Sequence, residues 1–182
     1  MQVSNYKVYS VVLLPMENPA QVYLLLGTNI GSRFANLQIA CAHLQKRIGN
    51  IKKTSPVYNT KPWGLSDQPD FLNQALMIET TLSPEKLLDA LQEIEQEMGM
   101  HKERKWGERL IDLDILFYND DIVESERLQI PHALMSERRF VLMPLNDIAS
   151  GLLHPVLNQK ISQLLKSCKD PLQVMIVEKD AV

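Results

Sequence analysis

Cysteine is scarce in this chain. Its 182 residues hold only Cys41 and Cys168, in unrelated contexts and with no CxxC pair, so neither a disulfide framework nor a zinc site is indicated. A reducing, cytoplasmic setting fits this best. Long apolar runs are missing as well. The stretch at residues 8–14 follows a single Lys7; it is too short for a membrane span and lacks a convincing signal-peptide cleavage site. It reads as a strand or an appendage, with Met16 as an alternative start. Charge of one sign is absent too. With 19 basic against 22 acidic residues and a net charge of -3, the chain offers no field that would hold nucleic acid or an anionic membrane. Any anion site must therefore be a local basic cluster. There is no Gly-Lys-Ser/Thr end of a phosphate loop, no HExxH, no Ser-His-Asp order worth following, and no internal repeat or interdomain linker. What remains is an ordinary globular composition, 45% hydrophobic and 23% charged, long enough for one domain with its own core. No obligate protein partner is indicated.

Periodicity supplies the elements. Residues 22–26 read as a strand that ends at Gly27-Thr28-Asn29. Phe34, Leu37, Cys41, Leu44 and Ile48 then recur at helical steps, with Lys46 and Arg47 in the last turn and Gly49 after it. Residues 54–60 read as a second strand, 61–70 as a loop dense in turn residues, and 71–80 as a third strand. Ser83, Pro84 and Glu85 open a second helix whose stripe is Leu87, Leu88, Leu91, Ile94 and Met98. A basic loop follows, then an apolar strand, a hairpin over residues 122–132, and helical segments at 138–148 and 159–167, in which Pro144 must bend, end or begin a helix. The order strand, helix, strand, strand, helix, strand predicts an α+β fold of the ferredoxin-like split βαβ type, an antiparallel sheet with packed helices and an added hairpin. The expected division is an N-terminal extension at 1–21, one domain at 22–168 and a C-terminal tail at 169–182.

The apolar strand carries an anomaly. In RLIDLDILF, residues 109–117, Asp112 and Asp114 share one face while Ile111, Leu113 and Ile115 share the other. Like charges about 7 Å apart along a strand repel unless something compensates them. A merely solvated strand face is one explanation. A divalent cation is the other, since carboxylates are the ligands that hard ions prefer and magnesium often takes only one or two of them. Just before the aspartates stand His101, Lys102, Arg104, Lys105, Trp106 and Arg109, and after them Arg127, His132, Arg138 and Arg139. Cations beside paired carboxylates are a coherent set for holding phosphates and a metal. Phe71 and Asn73 share a strand face next to a Pro-Gly loop, which suits a flat heterocycle: a ring stacks while an amide reads its edge.

Four segments, LGTNIG, DQPDFLN, WGERLIDLDILFY and IPHALMSERRFVLMPLNDIA, together resemble the 6-hydroxymethyl-7,8-dihydropterin pyrophosphokinase family of folate biosynthesis, over residues 22–154. The resemblance implies a transferase with ATP as cosubstrate, moving pyrophosphate to the hydroxyl of a reduced pterin and releasing AMP. It implies two magnesium ions on Asp112 and Asp114, with Arg109 and His132 completing the catalytic set. Phe71 and Phe140 would sandwich the pterin, with Gly27, Thr60, Pro62, Trp63, Asn73 and Trp106 around it. Gln92, Glu95, Lys102, Arg109, Arg127, His132 and Arg138 would take the nucleotide. The chain departs from the family's usual basic loop at Met100, Lys102, Lys105 and Glu108. A pterin- or nucleotide-binding module that has lost turnover is the alternative, and an RNA-binding sheet a third, against which the acidic strand counts.

Overall fold

The computed structural model describes residues 18–63, 67–99 and 108–177. Along the chain run β1 (Ala20–Thr28), α1 (Arg33–Arg47), β2 (Gly49–Thr54), β3 (Tyr58–Thr60), β4 (Phe71–Thr80), α2 (Pro84–Glu97), β5 (Asp112–Tyr118), β6 (Val123–Glu124) and β7 (Gln129–Ile130). A 3-10 turn at Met135–Glu137 leads to α3 (Arg139–Ala149), β8 (Leu153–His154), β9 (Gln159–Lys160), α4 (Ile161–Ser167) and β10 (Val174–Ile176). The main sheet is antiparallel in the order β10-β3-β4-β1-β5, with β2 also paired to β4. Its inner part, β2-β4-β1-β5, is the expected ferredoxin-like arrangement, and β6 and β7 form the added hairpin.

Both faces of the sheet are covered, which is why β1 reads as a near-continuous apolar run rather than an alternating one. On one side Val22, Leu24 and Leu26 pack with Leu37, Ala40 and Leu44 of α1 and Leu87, Leu91 and Ile94 of α2. On the other, Tyr23 and Leu25 pack with Val141, Leu142 and Leu145 of α3 and Ile161 and Leu164 of α4. Each fully buried leucine contributes roughly 1.5–3 kcal/mol relative to exposure. Strand β5 switches its pattern midway. A register shift against β1 sets Ile115 opposite Leu24 and Phe117 opposite Tyr23, leaving Leu116 as the extra residue. Leu113 and Ile115 therefore join the α1–α2 side, while Leu116 and Phe117 join the α3–α4 side. By the same alternation Asp112 and Asp114 lie on the α3–α4 side, beyond the end of its apolar filling.

Several boundaries differ from the expected ones. The strand expected over 54–60 is the shorter β3, and a strand not expected, β2, runs before it over Gly49–Thr54; the two pair with successive halves of β4. Pro56 separates them because it has no N–H for a ladder. Ser55 bridges the gap: its N–H donates to the Ala75 carbonyl at 2.9 Å and its Oγ accepts from the Ala75 N–H at 3.0 Å. Pro144 neither ends nor begins α3; it lies buried within the helix. The segment after Cys168 is not a bare tail, since β10 pairs with β3. Ser83 caps α2 as expected, accepting from the Lys86 N–H.

Gly49 pairs with Thr80 where β2 meets β4. A Cβ there would stand 1.9 Å from the Glu79 carbonyl oxygen, and backbone cannot yield as a side-chain end can. Gly49→Ala should lower stability by about 2 kcal/mol or more, seen as a lower urea midpoint at unchanged slope. An unchanged midpoint would mean that β2 can pair in another way.

Candidate active site

The floor of the site is a row across three strands. Register sets Asn73 of β4 opposite Gly27 of β1, and Gly27 opposite Asp112 of β5. A side chain at the central position would fill the row: a Cβ on Gly27 would meet Asn73 Oδ1 at 3.3 Å and Asp112 Cβ at 3.9 Å. Beyond it Leu25 pairs with Asp114, so both aspartates flank a strand that offers glycine and leucine. Asn73 is buried and donates from Nδ2 to Thr60 Oγ1 at 2.8 Å, which fixes the amide and presents its oxygen towards Gly27. Between the aspartates, the Leu113 N–H donates to Glu95 Oε1 at 2.8 Å. Glu95 is only 4% exposed, so a carboxylate of α2 steadies the strand from behind.

Above this floor is an open cleft lined by Leu25, Gly27, Thr60, Trp63, Phe71, Asn73 and Phe140 and by the polar side chains of Lys61, Gln68, Arg109, Asp114 and Arg138. The mixture of rings with a few polar groups suits a small heterocycle. The Arg138 guanidinium stacks over the Trp63 ring at 4.5 Å and near the Phe140 ring at 5.7 Å. Burial pulls its pKa below the usual arginine value, while Asp114 and Asp112 pull it back up. On the other side Arg109 Nη1 donates to Asp112 Oδ1 at 3.0 Å. His132 is held by its N–H, which donates to the Leu116 carbonyl at 3.1 Å. Among the described residues its buried Nδ1 has no hydrogen-bond partner, and neither has the buried Arg138 Nε. Burial and then the Arg138 charge hold the His132 imidazole below its usual pKa, against the opposing pull of Asp112.

Not every expected residue comes to the cleft. Arg127 donates to Asp89 at 2.7 Å and to Gln92 at 3.4 Å, so these two candidates meet each other on the outer side of α2. Glu95 is engaged with backbone, as above. Pro62 lies in the loop between Lys61 and Trp63, both of which line the cleft. Lys102 and Trp106 fall outside the described residues. Asn29 was passed over as part of a glycine turn, yet it joins three segments. Its N–H donates to the Arg109 carbonyl at 3.0 Å and its Oδ1 accepts from the Arg109 N–H at 2.7 Å. Its Nδ2 donates to Gln68 Oε1 at 3.1 Å and to the Pro69 carbonyl at 3.3 Å. An asparagine at 1% exposure needs such partners, but no periodicity in the sequence signals them.

Sheet, cleft and paired carboxylates together define a small α+β protein with a ring-lined, polar cleft over its sheet. Residues 23–150 match the family described as 7,8-dihydro-6-hydroxymethylpterin-pyrophosphokinase (HPPK), and the chain belongs to this family. The 2-amino-4-hydroxy-6-hydroxymethyldihydropteridine pyrophosphokinase of Haemophilus influenzae is 45% identical over 149 residues, covering 81% of this chain and 92% of that protein. The enzyme of the same name from Bacillus subtilis is 46% identical over 127 residues, covering 69% and 76%. The folic acid synthesis protein fol1 of Schizosaccharomyces pombe is 46% identical over 144 residues, 79% of this chain but 20% of that one. Among solved structures, wild-type HPPK-DHPS of Plasmodium falciparum with pteroate superposes at a TM-score of 0.67 and 20% identity, over 84% of this chain and 43% of that chain. The chain thus spans less than half of that structure, and the likeness is one of fold. Among the described residues no helix is long and apolar enough to cross a membrane.

The depressed His132 pKa has a stability consequence. In the folded state the imidazole binds its proton less readily than in the unfolded chain, so its neutral form supports folding above the ordinary histidine value of about 6.5 and this support is lost as pH falls below it. His154, also lowered by burial, acts in the same direction. His132→Asn should therefore show a shallower loss of unfolding free energy than wild type between about pH 6.5 and pH 5, followed by urea denaturation at each pH. Parallel curves for the two proteins would mean that His132 takes up its proton as easily when folded as when unfolded.

Proposed function

We propose that this chain transfers pyrophosphate from ATP to the hydroxymethyl group of 6-hydroxymethyl-7,8-dihydropterin and releases AMP, as the names of its relatives describe for them. The observation that carries the reading is the in-register row of Asn73, Gly27 and Asp112, with Phe71 and Phe140 beside it on the cleft wall. The two rings stack on the faces of the pterin, and Asn73 Oδ1 accepts from the N–H groups along its edge. Glycine at position 27 leaves the floor low enough for the ring to lie across it. The hydroxymethyl arm then points along the row to the carboxylates.

Asp112 and Asp114 fit a magnesium site. They are oxygen donors on one strand face, half-buried, with cations close by, and magnesium asks for only one or two protein carboxylates. Among the described residues no group of three or more His, Cys, Asp or Glu could hold a metal, and the paired carboxylates match an ion that keeps its remaining positions for water and phosphate. Two such ions, when bound, would offset phosphate charge and orient the α and β phosphates. The chain's own groups do the rest. Arg109 and Arg138 contact the phosphates, His132 offers its neutral ring beside Asp112, Glu95 supports the aspartate strand from behind, and Lys102, with Arg127 and Gln92 from the outer side of α2, would take the nucleotide. The hydroxyl oxygen bonds to the β phosphorus as the bond from that phosphorus to the α–β bridging oxygen breaks, and the hydroxyl proton leaves to solvent. Positioning and electrostatics supply the rate rather than a strong protein base. Trp106 would close over the bound ligands. The free thiols Cys41 and Cys168 favour a reducing cytoplasm, and small molecules are the only partners that the reading requires.

The test is to incubate protein with ATP, magnesium and 6-hydroxymethyl-7,8-dihydropterin and to separate AMP from ADP by chromatography. AMP should form only when the pterin is present. Asp112→Ala and Asp114→Ala should each lower kcat at least ~100-fold while leaving the fold intact, because they remove charge from a polar face. Near-native turnover in either variant would sink the metal assignment. Tight binding of both ligands without AMP would move the reading to the binding module.

A further inference from the structure

The helix that carries Phe140 begins without a cap of its own. Its N-cap position is Arg138, whose guanidinium has no acceptor with which to cap a helix N–H and reaches over Trp63 and Phe140 in the cleft. Helix starts left unsatisfied are costly when they are not solvated. Here the missing acceptor comes from far along the chain: Asp170 Oδ2 accepts from the Arg139 N–H at 2.9 Å. Asp170 is 8% exposed and its other oxygen accepts from the Leu172 N–H at 3.1 Å, so the carboxylate is held by its own turn. Arg139 returns the contact, donating from Nε to the Asp170 carbonyl at 3.0 Å and from Nη2 to the Cys168 carbonyl at 3.1 Å.

The same segment then runs into the other wall of the cleft. Val174 pairs with Thr60, Met175 with Asn59 and Ile176 with Tyr58, and the Val177 N–H donates to the Val57 carbonyl at 2.9 Å. Thr60 is the hydroxyl that orients Asn73. One stretch, residues 168–177, thus ties down the start of α3, with Phe140, and the strand that aims Asn73. The aspartates of β5 lie at the opposite edge of the sheet from β10. The stretch also lies beyond residues 23–150, over which the family resemblance runs.

We infer that Asp170 is a positioning residue for the pterin: by capping α3 and anchoring β10 on β3 it sets the distance between the Phe140 wall and the Asn73–Thr60 wall. This rests on the reading of those walls as the pterin pocket. An aspartate serves better than a neutral cap, because its charge also favours the positive end of the helix. Loss of the carboxylate lets the first turn of α3 shift while its far end stays pinned by Tyr58, whose hydroxyl donates to Asp147 Oδ2 at 2.6 Å. The movement therefore falls on the first turn, where Phe140 forms the pterin wall.

The test measures two dissociation constants in wild type, Asp170→Ala, Asp170→Asn and Met175→Ala. One is for 6-hydroxymethyl-7,8-dihydropterin, followed by its own fluorescence in the presence of a magnesium complex of α,β-methylene-ATP; the other is for that nucleotide alone. Asp170→Ala should weaken pterin binding about five- to tenfold, the scale of a lost helix cap, and nucleotide binding by clearly less, because of the phosphate-contacting groups only Arg138 sits on that turn while Arg109 and the β5 aspartates do not. Asp170→Asn keeps one acceptor and should recover part of the loss. Met175→Ala should match wild type, because that exposed side chain leaves the backbone pairing intact. Should Asp170→Ala not fold, the same split is read from Asp170→Asn. Equal weakening of both ligands, or no weakening in a folded Asp170 variant, would overturn the inference. Wild-type protein that binds no dihydropterin at all would overturn the proposed function and this inference with it, whereas a wild type that binds while the Asp170 variants bind equally well overturns this inference alone.

Discussion

The pairing of β1 with β4 on one side and β5 on the other holds the site together, because it fixes an amide, a glycine and a carboxylate in one row. Side chains on neighbouring strands at the same register lie roughly 5 Å apart, so Asn73, Gly27 and Asp112 become a continuous surface without any loop having to arrange it. A slip of one residue in either pairing would turn one end of the row to the opposite face. The apolar residues of β1 oppose that slip: Val22, Leu24 and Leu26 lie in one core and Tyr23 and Leu25 in the other. Packing energy on both faces thus locks the chemistry in place.

Around that row the polar groups are nearly all committed before any ligand arrives. Asn73 is held by Thr60, Arg109 meets Asp112, and the Leu113 amide rests on Glu95. Preorganisation of this kind lowers the ordering cost on binding. The exceptions are instructive: among the described residues His132 Nδ1 and Arg138 Nε are buried without a hydrogen-bond partner, and both feel the charge of the aspartate strand. Buried polar atoms are expensive to leave unsatisfied, and phosphate oxygens in the cleft would supply the acceptor that the arginine lacks. Asn29 adds a mechanical link, since it bonds both Arg109 and the Gln68–Pro69 turn. The two loops that border the cleft share one buried amide.

Helix α3 serves two ends. Its far part is part of the core through Val141, Leu142 and Leu145, and is pinned to β3 by Tyr58 and Asp147. Its first turn delivers Arg138 and Phe140 to the cleft. A local cap at position 138 would have taken the place of the arginine, and the cap supplied by Asp170 resolves that conflict between helix stability and site chemistry.

Much of this was legible in the sequence because much of it is local. Period-two alternation put Asp112 and Asp114 on one face and Phe71 beside Asn73, and helical spacing marked the stripes of α1 and α2. Pro56 already announced the break between β2 and β3. Which cation meets which carboxylate could not be read in this way. Arg109 and Arg138 reach the aspartates, whereas Arg127 turns to α2, and the three are alike as sequence. Nor could the return of residues 168–177 to β3 and α3 be read, since a strand of three residues carries almost no pattern. Local periodicity follows from the backbone geometry of each element alone. Partners distant in sequence follow from sheet register and helix packing, which exist only once the whole chain has closed on its two cores.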